Sequence, residues 1–121
     1  MQQQVVPMIH VPDVSAAIHW YSSLGFKLRD QGREDRGEIV WAALTYGNSE
    51  VMLNAGGKAS RDHRREMDLY IFVEDVDDLW RSLEGRVEVV EDLHDTFYGM
   101  REFIIRDLNR FWITFGQPLR K

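Results

Sequence analysis

The chain is written twice, and this repetition constrains its fold more than any other feature. Ile9-His10-Val11-Pro12-Asp13-Val14 returns 62 positions later as Ile71-Phe72-Val73-Glu74-Asp75-Val76. Self-similarity at a fixed spacing points to one structural unit repeated along the chain. After each copy, apolar residues recur three and four positions apart. They are Val14, Ala17, Ile18 and Tyr21 in the first half and Val76, Leu79, Trp80 and Leu83 in the second. That spacing predicts one amphipathic helix per half. Asp13 and Asp75 stand one residue ahead, where a carboxylate accepts from the unpaired N–H groups of a first helical turn. Gly25 and Gly85 stand where the helices should stop.

The same displacement lays Val51-Met52-Leu53 on Ile113-Thr114-Phe115, and Trp41-Ala42-Ala43 on Phe103-Ile104-Ile105, without a net gap. Each half reads strand, helix, strand, strand, strand, an α+β pattern. The predicted strands lie near 4–11, 26–30, 38–46 and 49–54, with twins near 67–73, 86–91, 100–106 and 111–116. Gln31 to Gly37 reads as an exposed hairpin loop. The segment from Ala55 to Arg65, rich in Gly, Ser and charge, reads as the joint between the halves, with the linker itself at 58–66. Residues 1–57 and 67–121 are then two βαβββ modules of one compact domain, a size that suits 121 residues.

Composition removes several functions. With no Cys there is no disulfide framework, thiolate zinc site or cysteine nucleophile. Twenty acidic against 15 basic residues give a net charge of −5, which repels a phosphate backbone, so no nucleic-acid partner is expected. No apolar run approaches the roughly 20 residues of a membrane span, and no membrane partner is expected. The opening Met-Gln-Gln-Gln lacks the basic start and apolar core of a signal peptide, which implies a cytoplasmic protein. No phosphate loop, dinucleotide fingerprint or nucleophile elbow occurs.

Strand side chains alternate between faces, so parity sorts them. Val5, Pro7, Ile9, Val11, Val51, Leu53, Leu69, Ile71, Val73, Ile113 and Phe115 form one almost wholly apolar set, suited to a face covered by the helix. Val6, Met8, His10, Glu50, Met52, Asn54, Asp68, Tyr70, Phe72, Trp112 and Thr114 form the other. A face merely open to water does not need so many aromatic and thioether groups. A core face does not carry His10, Glu50 and Asp68 without partners. Apolar walls with a few placed polar groups describe a ligand-binding concavity. A dimer interface or a second core layer would use the same residue types. On the seventh strand, Phe103 and Ile105 are expected on the helix side, which turns Glu102 and Ile104 to the mixed face. Tyr98, just ahead of that strand, joins the candidate ligand-binding set. His94 is placed in the rim loop and reads as solvated, as does His19, and His63 falls in the linker.

Two stretches resemble the vicinal oxygen chelate superfamily, which includes glyoxalase I, extradiol dioxygenases and bleomycin resistance proteins. The first runs Val11-Pro12-Asp13-Val14, Trp20-Tyr21, Leu24-Gly25-Phe26. The second runs Tyr98-Gly99-Met100-Arg101-Glu102-Phe103, Asp107, Trp112-Ile113-Thr114-Phe115-Gly116. The resemblance spans essentially the whole chain. It implies two tandem βαβββ modules forming a curled eight-stranded cup with a helix packed on each outer face. In metal-dependent members four strand positions hold the ion. Carried over, these fall on Val6, Met52, Asp68 and Thr114. Val cannot ligate, and Met and Thr are poor ligands for the divalent ions concerned. The resemblance therefore points to the bleomycin-resistance branch, which binds its drug by sequestration without metal and generally as a homodimer. It implies a small-molecule ligand that is partly aromatic and could be cationic, stacked by Tyr70, Phe72 and Trp112 and offset in charge by Glu50, Asp68 and Glu102. No cofactor, metal or catalytic residue is expected on this reading.

The alternative is a superfamily lyase, isomerase or dioxygenase using His10 with Glu102 or Asp68, with an off-pattern metal held by His10, Glu50 and Asp68. A third reading has the cup pack a partner protein. The last turn departs from the superfamily's D-P-D-G-N, because Arg110 stands where Gly is usual in Asp107-Leu108-Asn109-Arg110-Phe111. A positive φ kept there strains Arg110.

Overall fold

The computed structural model of the protein describes residues 4–35, 37–57 and 67–119. The predicted linker, residues 58–66 with His63, lies outside the described residues. The chain divides into two compact units, Met1–Ala59 and Ser60–Lys121. The first contains β1 (Met8–Val11), α1 (Val14–Ser23), β2 (Lys27–Arg33), β3 (Ile39–Tyr46) and β4 (Ser49–Ala55). The second contains β5 (Leu69–Phe72), α2 (Val76–Leu83), β6 (Glu88–Asp95), β7 (Met100–Arg106) and β8 (Trp112–Pro118). Each unit is a four-stranded mixed sheet with its helix against one face, in the orders β1-β4-β3-β2 and β5-β8-β7-β6. The expected α+β class, two copies of βαβββ, is the architecture formed.

The helices begin where the carboxylates dictate. Asp13 accepts from the N–H of Ala16 at 3.0 Å, and Asp75 from that of Asp78 at 3.0 Å. Gly25 and Gly85 follow the helices with φ of 106° and 77°, conformations that glycine adopts without penalty. Val14, Ala17 and Tyr21 are buried from α1, and Val76 and Leu83 from α2. Beneath them lie Ile9, Val11, Leu53 and Leu44 in the first unit and Phe103, Ile105, Ile113 and Phe115 in the second.

The repeat is faithful in its parallel pairs. Met8 stands opposite Met52 and Tyr70 opposite Thr114, both residues displaced by 62. It slips in the antiparallel pairs. Ala42 pairs with Leu53, while Phe103 pairs with Phe115, so β7 follows β3 by 61 positions. One residue is lost between the start of α2 and β6, and one is regained in the turn between β7 and β8. The sequence alignment of Trp41 with Phe103 is thereby corrected. Trp41 matches Glu102, and Ala42 matches Phe103. A one-residue slip exchanges the faces of a strand, so only pairing settles which side chains correspond.

Three further expectations change. The first strand begins at Met8 rather than near residue 4, and Val5, expected in the core, is 93% exposed. Pro7 has no N–H to donate to a ladder, although its carbonyl accepts from Met52 N at 2.8 Å. Leu69, Ile71 and Val73 are half-buried, because α2 packs on β7 and β8 and leaves the edge strand β5 partly open. The strands β2 and β6 are longer than their composition suggests, running to Arg33 and Asp95. His94 therefore sits on a strand and not in a loop. Both long strands are tied to their neighbours through register shifts.

In the β7–β8 turn the left-handed position falls on Arg110, with φ of 73°. The buried Asp107 carboxylate holds the turn by accepting from the N–H groups of Asn109 at 2.7 Å and Phe111 at 2.9 Å. A left-handed non-glycine residue costs about 1–2 kcal/mol. Arg110→Gly is expected to raise the denaturation midpoint by about 1 kcal/mol in free energy. The lost ion pair to Glu88 detracts little, since it is partly exposed and Glu88 keeps Arg106 at 3.1 Å. An unchanged or lower midpoint in urea would refute this strain.

Candidate functional site

The second unit carries a hollow of about 480 Å³ on the sheet face opposite α2. Cross-strand pairing builds it. Ile104, Thr114 and Tyr70 form one row across β7, β8 and β5, and Glu102, Gly116 and Phe72 form the next. The β6–β7 hairpin closes one side. Thr96 N donates to Met100 O at 2.8 Å, and Gly99 turns with φ of 85°. This tight turn thrusts Phe97, fully exposed, and Tyr98 up beside the row. Glu91, His94, Asp95 and Thr96 complete the lining from β6 and the turn.

Glu102 is the centre of the site. It is 3% exposed, and both of its carboxylate oxygens are occupied. Oε2 accepts from the Tyr70 hydroxyl at 2.5 Å and Oε1 from the Tyr98 hydroxyl at 2.6 Å. Hydrogen bonds to an ionised acceptor are the short, strong kind. Among the described residues no basic side chain pairs with Glu102; two phenols satisfy it instead. Burial, and then the hydrogen bond to Glu102, hold the Tyr70 phenol far above its usual range. The hydrogen bond to Glu102 raises Tyr98 too.

These shifts carry a sign. A phenol whose folded pKa is raised keeps its proton when the unfolded chain, near pH 10, loses its own. The stabilisation is complete below that pH and fades as pH rises beyond it. Stability of the wild type is expected to fall above about pH 10 more steeply than that of Tyr70→Phe. Parallel slopes in denaturation followed from pH 8 to 11 would contradict the coupling.

Asp95 and His94 are also constrained. Arg101 bonds Asp95 at 2.7 and 3.2 Å and holds its carboxyl below the usual range. Arg101 also reaches Asp77 at 3.1 Å. His94 Nδ1 lies 2.8 Å from the carbonyl of Asp92, and its Nε2 is 3.8 Å from Glu91.

Of the ligand-binding residues expected from sequence, Tyr70, Tyr98, Glu102 and Thr114 come together at this hollow. Phe72 packs its ring on Tyr70 at 4.9 Å and is otherwise exposed. Trp112 shares the face but pairs with Arg106 beyond the hollow. Asp68 is exposed just ahead of β5. The other four lie in the first unit. Met8 stands beside Met52, and His10 beside Asn54, with His10 Nδ1 3.4 Å from Ala55 O. Glu50 is bound by Arg29 at 2.7 and 3.2 Å, so its charge is already offset. Sequence reasoning missed Glu91, Asp95, Thr96 and Phe97. The only local signal for them was an aromatic pair, Phe97-Tyr98, ahead of a glycine.

The model of the Glyoxalase/Bleomycin resistance protein/Dioxygenase superfamily matches residues 3–115. The chain belongs to this superfamily. Among solved structures it is similar to TioX from Micromonospora sp. ML1, at 25% identity and a TM-score of 0.79, over 98% of this chain and 100% of that one. It is also similar to a protein of unknown function from Agrobacterium tumefaciens str. C58, at 25% identity and a TM-score of 0.74, over 98% and 96%. A glyoxalase/bleomycin resistance protein/dioxygenase from Alicyclobacillus acidocaldarius, at 19% identity and a TM-score of 0.72 over 99% and 96%, shares the fold. No curated protein matches the chain.

Many members of the superfamily hold a metal ion, and the residues here do not fit one. The positions onto which the resemblance carries the four ligands hold Val6, Met52, Asp68 and Thr114, of which one is a carboxylate. A lone carboxylate with an alkyl, a thioether and a hydroxyl is not a donor set for a catalytic divalent ion. The off-pattern set of His10, Glu50 and Asp68 gains no support either. Among the described residues no three His, Asp or Glu side chains gather to hold an ion. No helix among them is long and apolar enough to cross a membrane.

Proposed function

We propose that the protein binds and sequesters, without a metal, a small and partly aromatic compound that carries positive charge. One observation carries this reading: a buried carboxylate, Glu102, held by two tyrosines at the base of an aromatic-walled hollow. Aromatic faces attract flat rings and cations, and a carboxylate in a low-dielectric setting strengthens the attraction. The hollow falls within the 300–1,000 Å³ typical of small-molecule sites. Superfamily membership and the likeness to TioX agree with a binding role but name no ligand. The reading includes a cytoplasmic homodimer, as in bleomycin resistance proteins.

The test is calorimetric titration of the purified protein with bleomycin-type drugs and a panel of aromatic amines, before and after chelation. Saturable binding that survives chelation is expected, with a dimer in sedimentation. Failure across the panel, together with a stoichiometric transition metal by elemental analysis, would overturn the reading in favour of an enzyme.

A further inference from the structure

In the second sheet, β8 lies between β5 and β7. A side chain on β5 must therefore cross β8 to touch β7, and Tyr70 does so. Its partner on β8 is Thr114, yet its hydroxyl rests on Glu102, whose own β8 partner is Gly116. The phenol runs diagonally over Gly116. A Cβ at that position would stand 2.2 Å from the Tyr70 hydroxyl oxygen, 2.8 Å from Cζ and 3.1 Å from Cε1. The φ of Gly116 is not in the left-handed region, so the backbone does not require glycine there. The space does.

The second observation concerns protons. A carboxylate only accepts, so Tyr70 and Tyr98 both turn their hydroxyl protons to Glu102, and each phenol oxygen is left as an acceptor only. The carbonyl of Asp92 likewise takes the Nδ1 proton of His94, and Nε2 faces the Glu91 carboxylate at 3.8 Å. The Thr96 hydroxyl is committed to Met100 O. The wall that results is aromatic and accepting, and a ligand with acceptors of its own finds few side-chain donors there.

We propose that Gly116 is the specificity-determining position of this hollow. By letting Tyr70 lie across β8 onto Glu102, it commits the phenol protons inward and makes the hollow select protonated aromatic amines over anions of the same shape. This rests on the ligand-binding reading above. The overlap in Gly116→Ala involves the tip of a side chain that can swing away, so the variant folds and Tyr70 leaves Glu102.

The experiment uses the full chain and two probes with one ring system, 9-aminoacridine as its cation and acridine-9-carboxylate. The wild type is expected to prefer the amine by about tenfold or more, the worth of one charge-assisted hydrogen bond. Gly116→Ala should lose most of that preference. Tyr70→Phe removes the hydroxyl, leaves the Glu102 charge and offers an anion no new donor, so it should keep the preference. The double variant should keep it too, because the loss in Gly116→Ala comes from the released Tyr70 hydroxyl. A ligand-free readout accompanies this: nuclear Overhauser contacts from the Tyr70 ring to residue 116 and to Glu102, present in the wild type and lost in Gly116→Ala. Equal affinity of the wild type for both probes overturns the selection. Tyr70 still seated on Glu102 in Gly116→Ala overturns the positioning role. Wild-type protein that binds neither probe overturns the ligand-binding reading and the selection with it, while the Overhauser contacts still decide whether Gly116 seats Tyr70.

Discussion

Glu102→Gln is expected to weaken binding of a protonated aromatic amine by about 10- to 100-fold and to leave an uncharged analogue of the same ring nearly unaffected. Hydrogen bonds to a charged group contribute about 1.5–3 kcal/mol, which is that range of affinity. The substitution keeps the shape and removes the charge. Its amide can accept from one phenol only and presents N–H groups to the other, so one tyrosine must turn its proton outward. Titration calorimetry with the charged and uncharged pair measures the effect. An equal loss for both members would mean that Glu102 merely shapes the wall. No loss for either would remove the carboxylate from the binding account altogether.

Phe103→Ala is expected to cost about 3–5 kcal/mol of stability, the usual penalty for emptying a buried phenylalanine site. Phe103 is fully buried, with Phe115 at 5.2 Å and Trp80 at 5.0 Å between ring centres. The repeat shows why this position matters in the second unit and not in the first. Its counterpart, Ala42, is already small, and there the helix supplies the large buried ring, Tyr21, where α2 has Leu83. The two modules place their bulk on opposite sides of the same layer. Against the 5–15 kcal/mol of a typical domain such a loss is severe. Urea denaturation with an unchanged slope measures it. A cost below about 1 kcal/mol would show that the layer collapses around the vacancy and that Phe103 does not organise it.

Much of this architecture was legible in the residues alone. The 62-residue echo, the aspartates ahead of each apolar stripe and the glycines after it are local signals, and each acts over a few residues through hydrogen bonding or steric freedom. They were enough to set the number, type and order of the elements and the superfamily. The faces of the outer strands followed from alternation wherever the pairing was unshifted. Thus Tyr70 and Thr114 were placed on one face correctly, and Glu102 was turned to that face by the parity of Phe103 and Ile105.

What only the tertiary structure decided depends on residues far apart in the chain. The slip of β7 against β3 needs a deletion and an insertion that cancel, and so leaves no trace in the overall spacing. Val5 looked like core by parity, but nothing along the chain tells how far a helix reaches over its sheet. Glu91 and Asp95 are charged residues of ordinary solvated appearance until β6 is paired beside β7. The exchange at the centre of the site is of the same kind. Sequence supplied a glutamate, two tyrosines and a glycine 4 to 46 residues apart, with no rule linking them. Close packing in three dimensions joined them, because a phenol can cross a strand only where the strand has no side chain.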